Sequence, residues 1–196
     1  GPPREMKPMF TEQVLPLLES MQDSSIRSIT LRVFGLGESA LEDKVRTLLG
    51  GSHPTAALYA KPGEVHIRIT AKAPTADQAD IMCDEMAALF RTALGDLIYS
   101  YTGDDLETVA VGRLLADGYT VATAESCTGG LLGERITSVP GASGAYGFGA
   151  ITYANETKHE LLKVRNGTLR KYGAVSSQVA AEMAYGAARK GDADFG

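Results

Sequence analysis

The chain has 196 residues, of which 44% are hydrophobic and 22% charged, with a formal net charge of −5. This is an ordinary globular composition with room for one large or two small domains. It excludes a broadly basic nucleic-acid binder, and with only Cys83 and Cys127, far apart, it excludes a disulfide scaffold. His53, His66 and His159 share no ligand spacing, and no apolar run reaches membrane-spanning length, so neither a metal site nor a membrane span is expected. The cysteine usage fits a reducing compartment and no signal peptide is visible, so the expected location is cytoplasmic.

The chain opens Gly1-Pro2-Pro3-Arg4-Glu5-Met6 and closes Asp192-Ala193-Asp194-Phe195-Gly196. The closing residues read as the approach to a strand with no body, and the whole reads as a fragment cut at both ends. Thr11 to Met21 carries a short apolar helix pattern disturbed by Pro16. Ser28 to Phe34 alternates Ile29, Leu31 and Val33 against Ser28, Thr30 and Arg32, which predicts a half-buried strand. Ala40 to Leu49 predicts a helix, stopped by Gly50-Gly51. Thr55 to Ala60 and Val65 to Ala71 predict a hairpin around Lys61-Pro62-Gly63-Glu64, a type II turn by residue preference, with His66 on the polar face as a surface residue. Thr75 to Leu94 predicts a long helix with Ala79, Met82, Cys83, Met86, Leu89, Phe90 and Leu94 in phase, Cys83 being a core thiol. Leu97 to Ser100 predicts a last strand. The sum is a small α+β domain, with Tyr101 to Asp105 as the boundary to the next.

The second domain begins with a helix, Leu106 to Ala116, closed by Asp117-Gly118. An apolar strand from Tyr119 to Ala122 then leads into Ala124-Glu125-Ser126-Cys127-Thr128-Gly129-Gly130, followed by a helix from Leu131. Backbone N–H groups at such a strand-to-helix turn can hold an anion or oxyanion, and glycine permits close approach. The geometry suits a serine nucleophile at Ser126. On these residues alone, a plain helix cap is the commoner use of the pattern. Val139-Pro140-Gly141-Ala142-Ser143-Gly144 predicts a loop, Gly147 to Ala154 a strand, Asn155 to Val164 a helix capped by Asn155, and Ser176 to Lys190 an alanine-rich helix. Strand–helix alternation predicts α/β layering.

Four ordered motifs over Leu106 to Gly196 resemble the CinA family of competence/damage-inducible proteins: Ala124 to Gly130, Val139 to Ser143, Tyr153-Ala154-Asn155-Glu156-Thr157-Lys158 and Gly173-Ala174-Val175-Ser176. The resemblance implies a remnant of a molybdopterin-binding-like domain at 1–10, a KH-like α+β middle domain at 11–101, and a C-terminal α/β amidohydrolase domain at 102–196, C-terminally truncated. It implies hydrolysis of the carboxamide of nicotinamide mononucleotide (NMN) to nicotinate mononucleotide and ammonia, in pyridine-nucleotide recycling, by a serine amidohydrolase with no cofactor. Carried over by motif, the catalytic residues are Ser126, Tyr153 and Lys158. Substrate contacts are expected from Thr128, Gly129 and Gly130, with Gly141 and Ser143 as a second anion cradle. Lys158 would act as base if its amine is desolvated, and Tyr153 would relay the proton or fix the amine. Without the resemblance, the pair reads as a solvated lysine and a rim aromatic.

Cys127 is ranked as a packing residue beside the nucleophile. The other reading is a non-catalytic, competence-related module that binds nucleic acid or protein. The first turn, Gly35-Leu36-Gly37-Glu38, lacks the Gly-x-x-Gly clamp of a nucleic-acid-binding KH domain, so nucleic acid is not an expected partner. The middle domain reads instead as a spacer or oligomerisation element, and the protein as a homo-oligomer.

Overall fold

The computed structural model describes residues 1–21 and 23–196. The chain divides into two compact units, Gly1–Asp104 and Asp105–Gly196. Among the described residues, no helix is long and apolar enough to cross a membrane.

The N-terminal unit starts with a helical segment: α1 (Pro3–Met9), a π-helical turn (Phe10–Val14) and α2 (Leu15–Ser20). Helix thus begins well before the expected Thr11. Pro3 occupies the first helical position, where a missing N–H costs nothing. The domain proper is β1 (Ser25–Phe34), α3 (Glu38–Leu49), β2 (Thr55–Lys61), β3 (Glu64–Ala73), α4 (Ala76–Leu94) and β4 (Ile98–Ser100). The sheet is antiparallel in the order β2-β3-β1-β4, the connectivity of a split βαβ fold. The alternation expected of β1 and β3 sorts their faces: Leu31, Val33, Val65, Ile67, Ile69 and Ala71 are buried against Leu41 and Val45 of α3 and Cys83 and Phe90 of α4. Leu89, expected in that core, is 55% exposed, one position off the buried stripe. Gly63 has φ +81°, as the turn between β2 and β3 requires. His66 is half-buried, not a plain surface residue, because its Nε2 meets Glu64 Oε1 at 2.7 Å.

The C-terminal unit runs α5 (Leu106–Asp117), β5 (Val121–Glu125), α6 (Leu131–Thr137), a 3₁₀ turn (Ala142–Gly144), β6 (Tyr146–Ile151), α7 (Asn155–Leu162), α8 (Asn166–Tyr172) and α9 (Ser177–Gly191). Asp105 caps α5, its side chain accepting from the Thr108 amide, and Gly118 closes that helix in the left-handed region. β5 and β6 are parallel, and Phe195 adds a parallel bridge to Val121 on the other side of β5. The strand leading into Ser126 is therefore interior to the sheet, as a near-continuous apolar run predicts. Ala122 and Ala124 face Val179, Met183 and Ala187 of α9 in the core. Thr123 and Glu125 alternate to the other face, where Thr123 bonds Tyr146 and Glu125 bonds α6. Helices thus cover both faces, the layering expected of parallel strands. The architecture expected from the sequence, a small α+β unit followed by an α/β unit, is the one observed.

Candidate active site

Because β5 and β6 are parallel, with Glu125 paired to Ile151, their C-terminal ends lie side by side. Ser126 leaves one strand where Thr152 and Tyr153 leave the other. In open α/β sheets this end is where ligands bind. α7 begins at Asn155 with Ala154, not Asn155, in the cap position, so Lys158 lies one turn inside it. Helical side chains tilt toward the N-terminus, so Lys158 reaches back over the strand ends. Its Nζ donates to Ser126 Oγ at 3.1 Å, to the Thr152 carbonyl at 2.7 Å and to the Tyr153 carbonyl at 3.0 Å. Lys158 is 1% exposed and, among the described residues, forms no ion pair. A buried amine without a carboxylate partner departs from ordinary surface usage of lysine.

Tyr153 sits differently from its expected role. Its backbone carbonyl holds the amine, while its side chain is 77% exposed and its hydroxyl has no hydrogen bond among the described residues. The reason is the tight entry into α7: it turns the Tyr153 carbonyl toward the lysine and the ring toward solvent.

The turn after Ser126 is built on glycine. Gly129 and Gly130 have φ of +61° and +104°, and a Cβ on Gly130 would meet Ile151 Cδ1 at 2.9 Å. Several amides expected to serve a ligand are already engaged. Gly129 N donates to Ser126 O at 3.1 Å, and Leu131 N donates to Thr128 O at 3.1 Å. Leu132 N and Gly133 N each donate to the Glu125 carboxylate at 2.9 Å, and the Thr128 hydroxyl and Gly130 amide lie near enough to stabilise its charge. The amides of Cys127 and Thr128 are left, with no partner among the described residues. Glu125 is 6% exposed. Burial pushes its carboxyl up, but donation from Gly133, Leu132 and Thr128 outweighs this and holds it below the usual carboxylate range.

Ser126 and Cys127 form part of the wall of a cavity of about 890 Å³, otherwise mostly apolar. Ala174, Val175 and Ser176 contribute another wall, and Ser176 caps α9 by accepting from the Val179 amide at 3.3 Å. Arg135 and Glu107 pair across the lining at 2.6 Å, which holds the Glu107 carboxyl below its usual range. Cys127 does not pack as expected: its thiol is free and exposed, because the turn directs the residue after the nucleophile outward.

Gly141 and Ser143 are not brought to this site. They precede β6, so they lie at the opposite end of the parallel pair, roughly 15–20 Å from Ser126 at the rise of a strand. A cradle there does not serve the same bound molecule within one chain. Sequence reasoning missed Glu125 and Thr152. A signal existed for the first: a carboxylate ending an apolar strand must find donors. None existed for Thr152, which acts through its carbonyl.

A model described as the CinA C-terminal domain matches residues 103–196, and one described as the damage-inducible protein CinA KH domain matches residues 28–100. A Clostridium novyi protein named for competence-damage induction is 47% identical over all of this chain and 48% of its own length. A Desulfovibrio desulfuricans CinA-like protein is 44% identical over all of this chain and 46% of its own length. The chain thus spans about half the length of the curated relatives it matches. A crystal structure of a CinA superfamily protein from Escherichia coli is 42% identical, covers 45% of this chain and 52% of its own, and superposes with a TM-score of 0.45. Matched along both of its units by domain models of one family, this chain belongs to the CinA family.

Proposed function

We propose that the C-terminal unit hydrolyses the carboxamide of nicotinamide mononucleotide, with Ser126 as nucleophile and Lys158 as its base. The observation that carries this reading is the fully buried Lys158 amine 3.1 Å from the Ser126 hydroxyl. For the amine to act as base, two of its N–H bonds stay on the Thr152 and Tyr153 carbonyls, and the third position, which donates to Ser126 Oγ in the structure, must hold the lone pair. Ser126 Oγ attacks the amide carbon while its proton passes to Lys158 Nζ. The amides of Cys127 and Thr128 stabilise the tetrahedral oxyanion. When the C–N bond breaks, the lysine ammonium returns the proton to departing ammonia. Water, deprotonated by the same amine, then cleaves the ester and releases nicotinate mononucleotide. No step requires a cofactor. Lys158 contacts Ser126 directly, so the proton needs no relay through the Tyr153 hydroxyl.

The cavity beside Ser126 has room for the flat pyridinium ring, with Glu107 as a carboxylate on its mostly apolar wall. The reaction belongs to pyridine-nucleotide recycling. The test is ammonia release from NMN by the full chain and by Ser126→Ala and Lys158→Ala. Loss of release in both variants supports the reading, and unchanged release in either removes that residue from the mechanism. Absence of release by the unaltered chain, together with a salt-sensitive shift of an RNA probe, favours the interaction-module reading instead.

A further inference from the structure

Glu125 adjoins the nucleophile in sequence but takes no part in the dyad. Its two oxygens are divided: Oε2 accepts from Leu132 N and Oε1 from Gly133 N, each at 2.9 Å. The Thr128 hydroxyl and the Gly130 amide lie near enough to stabilise its charge as well. One buried carboxylate therefore ties the first turn of α6 to the tip of β5 and faces the middle and end of the 126–130 turn that joins them. Its backbone does related work, because Glu125 O accepts from Thr152 N at 2.8 Å and so fixes the residue whose carbonyl holds Lys158. With Leu132 N and Gly133 N on Glu125, Gly130 N beside the same carboxylate, and Gly129 N and Leu131 N closed on the turn itself, Cys127 N and Thr128 N are the turn amides that have neither a hydrogen bond nor that carboxylate beside them among the described residues.

Resting on the amidohydrolase reading, we propose that Glu125 is a positioning residue: its buried carboxylate sets the turn so that the Cys127 and Thr128 amides stand as the oxyanion donors. It also fills the N-terminal end of α6, so the phosphate of a nucleotide substrate is held elsewhere. Glu125 touches no reacting atom and transfers no proton. Its effect is geometric, and it acts on the transition state more than on the bound ground state.

The experiment compares Glu125→Gln and Glu125→Asp with the unaltered full chain. Glutamine matches the shape but turns one oxygen into an NH₂ that faces an amide N–H, setting donor against donor. Aspartate keeps both oxygens on a shorter arm. The folded fraction is measured by circular dichroism, and kcat and KM for ammonia release are expressed per folded molecule. Expected for Glu125→Gln is a fall in kcat of about 100-fold with KM within about 3-fold, because oxyanion donors act on the transition state. Glu125→Asp recovers at least about tenfold of that loss, since both acceptors remain. A Glu125→Gln variant with unaltered kcat per folded molecule overturns the proposal, as does a loss carried by KM alone. Hydrolysis of p-nitrophenyl acetate is measured in parallel, since it needs only the nucleophile and the oxyanion donors. If the chain leaves NMN intact but cleaves this ester through Ser126, and Glu125→Gln slows that cleavage, the substrate reading falls and the positioning role stands.

Discussion

Both units bury ionisable side chains, and they settle the charge in opposite ways. On the outer face of the N-terminal sheet, Glu64 has His66 at 2.7 Å, Arg32 at 3.5 Å and the Tyr99 hydroxyl donating to it. Every partner there is ionisable, and the charges are of opposite sign. In the C-terminal unit, Lys158 lies deeper and, among the described residues, is met by a hydroxyl and two carbonyls. A carboxylate beside it would favour the ammonium form and occupy the lone pair that a serine proton needs. A charge met by opposite charges is held in place, and an amine set among neutral partners keeps a lone pair to offer.

The sharpest way to break this contrast is to remove the unpaired amine. On the proposed reading, Lys158→Ala or Ser126→Ala is expected to lower ammonia release from NMN by about 10³-fold or more, the loss of a base or nucleophile. By contrast, Glu64→Gln, checked by urea unfolding, costs about 1–3 kcal/mol because a half-buried network loses its acceptor. It leaves kcat for ammonia release per folded molecule unchanged, and a drop there would erase the distinction between the two networks.

Alkaline titration sharpens it further. Burial, and then donation to the Glu64 carboxylate, push the Tyr99 hydroxyl up to about 12. The folded unit keeps a proton that the unfolded chain loses near pH 10, so this contribution is intact below about pH 10 and fades as pH rises toward 12. Absorbance at 295 nm follows the tyrosinate, and Glu64→Gln brings Tyr99 to a lower value. The smallest effect belongs to Thr152, whose fully buried Oγ1 has no partner in the structure. Thr152→Val removes that orphan while keeping the carbonyl that holds Lys158. Thermal melting is expected to show a gain of up to about 1 kcal/mol, with ammonia release retained.

What could be read in the sequence follows the same division. The alternation of Leu31 and Val33 with Arg32, and the Pro62-Gly63 turn, are local signals, and they yield the N-terminal sheet almost residue by residue. The prolines at 8 and 16 hid the continuous helical segment, because a π-helical turn between them absorbs the irregularity. In the site, Ser126 and Lys158 were visible through motif resemblance, and the structure brings them together. The carbonyl use of Tyr153, the clamp made by Glu125 and the remoteness of Gly141 and Ser143 were not visible. The first and the last depend on which way β6 runs beside β5, which no short window of residues records, and the clamp depends on how α6 docks on the end of β5.

That shared direction has one more consequence. A strand that restarts parallel to its neighbour must be fed by a connection returning the full length of the sheet, and the return leg reverses on the side away from the dyad. Pro140 and Gly141 are exposed at that reversal, and Gly141 takes it at φ +84°, a conformation that other residues rarely adopt. The two rims therefore carry different demands: side-chain placement where Ser126 meets Lys158, and backbone shape where the chain doubles back.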